Sequence, residues 1–202
     1  MPLNLANILT WHRMLAIPLL VAIYLTPWEG LGMGWRNLVA TVLFTVAAIT
    51  DWVDGYVARR FGQQTPFGAF LDPVADKLLV CVALVMLLEL DRVGAIVASI
   101  IIGREIAISA LREWMATMGA RKSVAVNSLG KFKTAAQMTA IPLLLYDGPL
   151  NWLGLPAQWG ARPLGTWLIY VAAVLTLWSM GYYLWQAWPQ LRQVGRSPAG
   201  GR

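Results

Sequence analysis

Long apolar stretches alternate with short polar ones along this chain. The apolar blocks cover residues 13–24 (running on to 28), 37–59, 70–90, 93–114, 132–146 and 164–188. A helix rises 1.5 Å per residue, so about 20 residues cross the hydrocarbon of a bilayer. Several blocks are near that length. The first and fifth are shorter, and need tilt or local thinning of the bilayer. No block alternates with period two, so helices rather than barrel strands are predicted. The expected fold is all-α and polytopic, with six transmembrane helices. Residues 2–12 read as an amphipathic surface helix leading directly into the first span. Arg13 follows the first apolar turns instead of preceding them, and no small-residue cleavage site comes next, which argues against a cleaved signal peptide. Pro18 and Pro142 are expected to kink their helices. Residues 1–190 form one membrane domain, and the polar, Gly- and Pro-bearing stretch 191–202 is expected to be a disordered tail.

Composition sharpens this picture. The chain has 202 residues, 58% hydrophobic and only 13% charged, where soluble domains carry roughly 25% charge. A soluble enzyme and a disordered protein are both disfavoured. The formal charge of +6 would suggest nucleic acid in a soluble chain. Here the basic residues sit between apolar blocks, which points to a membrane surface or an anionic substrate and not to nucleic acid. With the amino terminus in the cytoplasm, thirteen Lys and Arg fall on the cytoplasmic side and only Arg36, Arg92 and Arg162 on the far side. That asymmetry sets the orientation. Trp28, Trp35, Trp152, Trp159 and Trp188 lie near span ends, as interfacial anchors do. The one cysteine, Cys81, lies inside an apolar block and reads as an inert thiol. His12 is the one histidine, so serine–histidine and zinc–histidine chemistry have little support.

The acids are placed more tellingly. Asp51 and Asp54 fall at the cytoplasmic end of the second span, and Asp72 and Asp76 at the cytoplasmic start of the third. Spacings of three and four put each pair on one helical face. A short connection around 60–66 makes the two helices antiparallel neighbours, so the four carboxylates can converge. Clustered carboxylates at membrane depth repel one another and need countercharge. A hard divalent cation supplies it, and Mg²⁺ or Mn²⁺ suits a site that also binds phosphate. Two ions about 4 Å apart fit such a site. The residues alone leave two alternatives: ion pairs with Arg59, Arg60 and Lys77, or a cation or proton path. Gly55, Ala58 and Gly68 leave room near the acids, either for a bulky ligand or for close helix packing. Arg59 suits a diphosphate.

A second polar group lies elsewhere on the cytoplasmic side: Arg104, Glu105 and Arg112, then Arg121, Lys122, Ser123, Lys131, Lys133, Thr134 and Gln137. Arg104 and Arg112 are two turns apart and share a face. Lys133 and Gln137 are four apart. Glu105 is adjacent to Arg104, so a pair between them is not implied by spacing. An arginine inside a span needs a partner or a ligand. A basic pocket beside the acids suggests a second anionic substrate. Lipid headgroup contact is the competing reading, above all for Arg121 and Lys131.

The run Asp51-Trp52-Val53-Asp54-Gly55-Tyr56-Val57-Ala58-Arg59, then Gly68, Asp72 and Asp76, resembles the signature of the CDP-alcohol phosphatidyltransferases at all eight defining positions. The resemblance implies six spans, an amino-terminal surface helix, a cytoplasm-facing site in a bacterial inner membrane, and a homodimer. It also implies transfer of a phosphatidyl or related group from a CDP-linked donor to an alcohol, with release of CMP and with Mg²⁺ or Mn²⁺. Three further segments resemble the branch of the family that pairs CDP-diacylglycerol with sn-glycerol 3-phosphate. They are Asn7-Ile8-Leu9-Thr10-Trp11-His12-Arg13, the stretch from Gly103-Arg104-Glu105 to Arg112-Glu113, and Ser128-Leu129-Gly130-Lys131-Phe132-Lys133-Thr134 running on to Gln137. Another acceptor, such as inositol phosphate, serine or phosphatidylglycerol, remains the alternative within the family.

By the same resemblance Asp51, Asp54 and Asp72 hold one metal, and Asp51, Asp72 and Asp76 share a second. Asp76 is then the general base for the glycerol hydroxyl. Asn7, Thr10, Gly55, Ala58, Arg59 and Gly68 receive the donor nucleotide. Arg104, Arg112, Lys131 and Lys133 are the candidates for the acceptor phosphate.

Overall fold

The computed structural model describes residues 5–26, 30, 32–61, 66–117, 128–151, 154, 156 and 159–194. For 5–10, 51–61, 66–70, 72–73, 112, 116, 128–129, 131, 187 and 189–194 it describes the backbone alone. Six helices follow in order: α1 Leu5–Leu25, α2 Met33–Phe61, α3 Pro66–Glu89, α4 Ala95–Thr117, α5 Ser128–Tyr146 and α6 Ala161–Val194. Among the described residues there is no strand, and each apolar block has become one helix. α1 runs unbroken from Leu5, so residues 5–12 continue into the first apolar block without a turn. α6 continues through 191–194, four residues into the expected tail. Gln, Leu and Arg are good helix formers, and no glycine intervenes before Gly195. Pro18 and Pro142 both lie inside helices.

The packing is that of a membrane protein. In α2 the inward residues include Asn37, Ala40 and Ala47, while Trp35, Leu38, Val42, Val46 and Ile49 are exposed. In α6 Ala172, Ala173, Thr176 and Ser179 are buried, while Trp167, Val174, Trp178 and Trp185 face out. Small and polar residues stand inside beside Phe44, Ile169 and Tyr183, and large apolar ones face outward, unlike the polar outer face of a water-soluble helix. Among the described residues 33–50 and 161–186 are long and apolar enough to cross a membrane, and 11–25 is a shorter apolar stretch. All six helices feed one core, which includes Leu20, Phe44, Leu84, Ile101, Leu144 and Ile169. Gly165 lets α6 approach α5 closely. A Cβ there would lie 2.8 Å from Leu144 Cγ and 3.2 Å from the Ala140 carbonyl.

One end of the bundle is clamped by polar groups. α3 ends in a Schellman turn: the Arg92 N–H reaches the Leu87 carbonyl at 2.9 Å and the Asp91 N–H reaches Leu88 at 3.1 Å. The left-handed position that such a turn requires is filled by Asp91, at φ 53°, instead of glycine. The turn delivers Arg92 to the end of α5. Its Nη1 donates to the carbonyls of Leu144 (3.0 Å) and Leu145 (2.8 Å), which the helix itself leaves unpaired. Its Nη2 donates to Asn37 Oδ1 at 2.9 Å. Its Nε pairs with Asp147 Oδ2 at 3.3 Å. Asp147 is itself the left-handed residue closing α5, at φ 48°. Tyr24 donates to the same Asn37 oxygen at 3.4 Å, and Arg162 donates to the Asp91 carbonyl at 2.8 Å. These bonds gather the end of α1, the start of α2, the α3–α4 turn, the end of α5 and the start of α6. The helices therefore run up and down, and the opposite end holds the start of α1, the end of α2, the start of α3, the end of α4 and the start of α5.

Candidate active site

That opposite end carries the candidate site residues apart from Arg104, which lies near the middle of α4. Asn7 and Thr10 lie in the first turns of α1. Asp51, Asp54, Gly55, Ala58 and Arg59 occupy the last turns of α2. Gly68, Asp72 and Asp76 occupy the first turns of α3. The backbone is helical through both acid pairs, so each pair does share a helical face. The side chains of Asn7, Thr10, Asp51, Asp54, Ala58, Arg59 and Asp72 lie outside the described residues, as do those of Arg112 and Lys131. Asp76 is described: it is half-buried and engaged with a partner. Among the described residues no three metal-ligating side chains converge. The donor set supplied by the two helix ends, four hard carboxylates and no sulfur or imidazole, suits a hard divalent cation.

The second polar group is seen in more detail. Three buried stripes change character at a common level. On α4 the inward residues Val97, Ala98 and Ile101 lead to Arg104. On α5, going back from Leu144, Ile141 and Ala140 lead to Gln137 and Lys133. On α6 Ile169, Ala172 and Ala173 lead to Thr176, Ser179 and Tyr183. Lys133 is only 3% exposed and Arg104 only 7%. Lys133 Nζ donates to Glu105 Oε2 at 2.9 Å, and Arg104 Nη1 donates to the same oxygen at 3.2 Å. Arg104 Nη2 donates to Ser179 Oγ at 3.2 Å, which in turn donates to the Thr176 carbonyl at 2.9 Å. The guanidinium lies over the Tyr183 ring, 5.8 Å from its centroid, a favourable cation–π arrangement.

Two expectations change here. Glu105, read as adjacent to Arg104 and not facing it, does pair with it, because both long side chains bend toward Lys133. The α6 residues Ser179 and Tyr183 were not expected in this group at all. A signal was present: polar residues three and four apart inside an apolar span.

Two cations share one carboxylate, so these three side chains carry one net positive charge in a buried place. Polar capacity is also left over. Arg104 Nε, Gln137 Oε1 and Thr176 Oγ1 are buried without a hydrogen-bond partner among the described residues. Buried polar atoms are normally satisfied, and exceptions often mark a place that a ligand or water completes. By contrast, the groove of about 420 Å³ between α4 and α6, lined by Ile108, Leu111, Trp114, Met180 and Leu184, is almost entirely apolar and has no charged group for a phosphate.

The model of the CDP-alcohol phosphatidyltransferase family matches residues 3–178. The chain belongs to that family. Relatives named CDP-diacylglycerol–glycerol-3-phosphate 3-phosphatidyltransferase, from Salmonella choleraesuis, Shigella flexneri serotype 5b and Escherichia coli K12, are each 47% identical to it over 186 residues. The match covers 91% of this chain and 94% of each relative. In this phosphatidyltransferase the family segment therefore takes in the acid-bearing helix ends, the Arg104–Glu105–Lys133 group and the first half of α6, up to the residue before Ser179.

Proposed function

We propose that this membrane enzyme transfers the phosphatidyl group of CDP-diacylglycerol to sn-glycerol 3-phosphate, giving phosphatidylglycerophosphate and CMP. The observation that carries this is the end-to-end likeness to relatives bearing that name. The buried cationic group on α4 and α5 adds to it, as a place suited to an anionic acceptor. The chain would cross a bacterial inner membrane six times, with residues 2–12 at the surface, the site facing the cytoplasm, and two copies forming a homodimer.

Asp51, Asp54, Asp72 and Asp76 would hold one or two divalent ions, Mg²⁺ or Mn²⁺. Bound there, such ions would offset the charge that builds on the diphosphate as CMP departs. Arg59 binds the diphosphate through charge-assisted hydrogen bonds. Asn7, Thr10, Gly55, Ala58 and Gly68 line the place for the cytidine, the three small residues admitting it against the helix backbone. Asp76 accepts the proton of the glycerol 1-hydroxyl as that oxygen attacks the phosphorus bearing diacylglycerol. Arg104, Arg112, Lys131 and Lys133 hold the acceptor's phosphate and so aim its hydroxyl. Fixing both substrates in one orientation is itself a large part of the rate gain.

The test is CMP release by purified protein given CDP-diacylglycerol and, in turn, glycerol 3-phosphate, inositol phosphate, serine and phosphatidylglycerol. Glycerol 3-phosphate should support release and the others should not. Chelator should abolish it, and Mg²⁺ or Mn²⁺ restore it. Release driven by another of these acceptors would reassign the substrate, and full activity in thoroughly chelated protein would refute the metal role.

A further inference from the structure

Glu105 stands between the two described cations of the acceptor group, and nothing in the reaction as set out above uses it. Its Oε2 accepts from Lys133 Nζ at 2.9 Å and from Arg104 Nη1 at 3.2 Å. The two cations come from different helices, α4 and α5, and meet on that single oxygen. Both are almost fully buried, where like charges repel far more strongly than in water. The remaining holds on Arg104 are neutral: the Ser179 hydroxyl and the face of Tyr183. They orient the guanidinium but do not offset its charge. Among the described residues Glu105 is the one carboxylate that touches both cations.

We propose that Glu105 is a positioning residue for acceptor binding: it ties Lys133 to Arg104 so that both cations face the phosphate of glycerol 3-phosphate together. This rests on the assignment of Arg104 and Lys133 to the acceptor phosphate. Arg104 is already oriented on its α6 side. Lys133 has a flexible four-carbon stem and a compact charge with three donors. The bond to Glu105 fixes where that charge sits. A glutamine at 105 has the same size and can still accept one hydrogen bond, but it removes the charge that lets the two cations coexist. Lys133 then turns away from Arg104, and the phosphate meets one ordered cation in place of two.

The experiment is steady-state kinetics on full-length Glu105→Gln, Glu105→Asp and Lys133→Ala, with each substrate varied in turn and folding checked by thermal melting. Glu105→Gln should raise KM for glycerol 3-phosphate about 10-fold or more, the worth of one charge-assisted contact. Its KM for CDP-diacylglycerol should not move, and kcat should fall far less than kcat/KM for the acceptor. Glu105→Asp keeps the charge on a shorter arm and should recover part of the loss. An unchanged acceptor KM in Glu105→Gln overturns the proposal. A lowered one does too, since Glu105 would then be competing with the phosphate. Equal weakening of both substrates, or no recovery in Glu105→Asp, would mark a merely structural role. Lys133→Ala separates the two levels of the argument. If it leaves the acceptor KM unchanged, the acceptor pocket itself is misplaced. If it raises that KM while Glu105→Gln does not, only the role of Glu105 falls.

Discussion

Arg92 and Arg104 are buried to the same extent, each 7% exposed, and each meets one carboxylate. Their surroundings differ in kind. Arg92 is held by fixed acceptors: two backbone carbonyls at the end of α5, the Asn37 amide and Asp147. Every guanidinium nitrogen is engaged, and the partners come from the ends of the helices that it joins. Arg104 is held by side chains alone, on its own helix and on α6, and the second cation on its carboxylate, Lys133, is buried and close, whereas Arg162 beside Asp147 is half exposed and 3.9 Å away. Its Nε and the nearby polar atoms of Gln137 and Thr176 stay unpaired among the described residues. A closed network on fixed backbone and amide acceptors belongs to architecture, and the second cation near Asp147, Arg162 at 3.9 Å, is half exposed to solvent. A network of side chains that gathers two buried cations and leaves polar atoms unpaired among the described residues is suited to an anion that comes and goes.

The sharpest way to test this division is chemical. Asp76→Asn keeps the size of the side chain but cannot take a proton. It should cut phosphatidyl transfer about 10²–10⁴-fold, the usual cost of losing a general base, with the melting temperature and CDP-diacylglycerol binding retained. Near-normal turnover would remove Asp76 from the mechanism. Arg92→Ala comes next. It takes the donor from two backbone carbonyls and the nearest cation from the half-buried Asp147, leaving Asn37 only its long bond from Tyr24, and should cost about 3 kcal/mol of stability. Thermal melting in detergent should show that loss, while KM for glycerol 3-phosphate in the folded fraction stays put. A raised acceptor KM with unchanged stability would break the comparison.

The smallest effect separates the two left-handed aspartates. Asp91 has an exposed side chain, and its main-chain carbonyl makes the contact to Arg162. Asp91→Gly relieves the positive φ and should change stability by less than about 1 kcal/mol. Asp147→Gly relieves the same strain but removes the partner of Arg92, and should lower the melting temperature clearly. Equal melting temperatures for the two variants would mean that the Arg92–Asp147 pair contributes little.

The six helices were legible because apolar blocks of near-spanning length leave the backbone little alternative in lipid. Their ends were less so: α2 runs on to Phe61 and α6 to Val194, since a helix does not stop where its apolar stretch stops. The acid motif was legible as spacing, which needs only one chain and a helical repeat. The clamp at the other end was not. Arg92 looked like an ordinary far-side charge, and a Schellman turn closed by Asp91 instead of glycine leaves no mark in the sequence. The basic residues Arg104 and Lys133 were found, but their union through Glu105 was not. It depends on how α4, α5 and α6 pack side by side, a relation between segments that spacing within each segment does not contain.

The division of the molecule rests most directly on Lys133, which is buried, cationic and outside the acid motif. Lys133→Ala, with Arg112→Ala beside it, should be assayed by varying glycerol 3-phosphate and CDP-diacylglycerol in turn on protein of checked fold. A lost charge-assisted contact of about 1.5–3 kcal/mol corresponds to a rise in acceptor KM of roughly 10–150-fold. The account predicts that rise in each variant, with little change in the donor KM. An unchanged acceptor KM in both variants, or an equal weakening of both substrates, would contradict it.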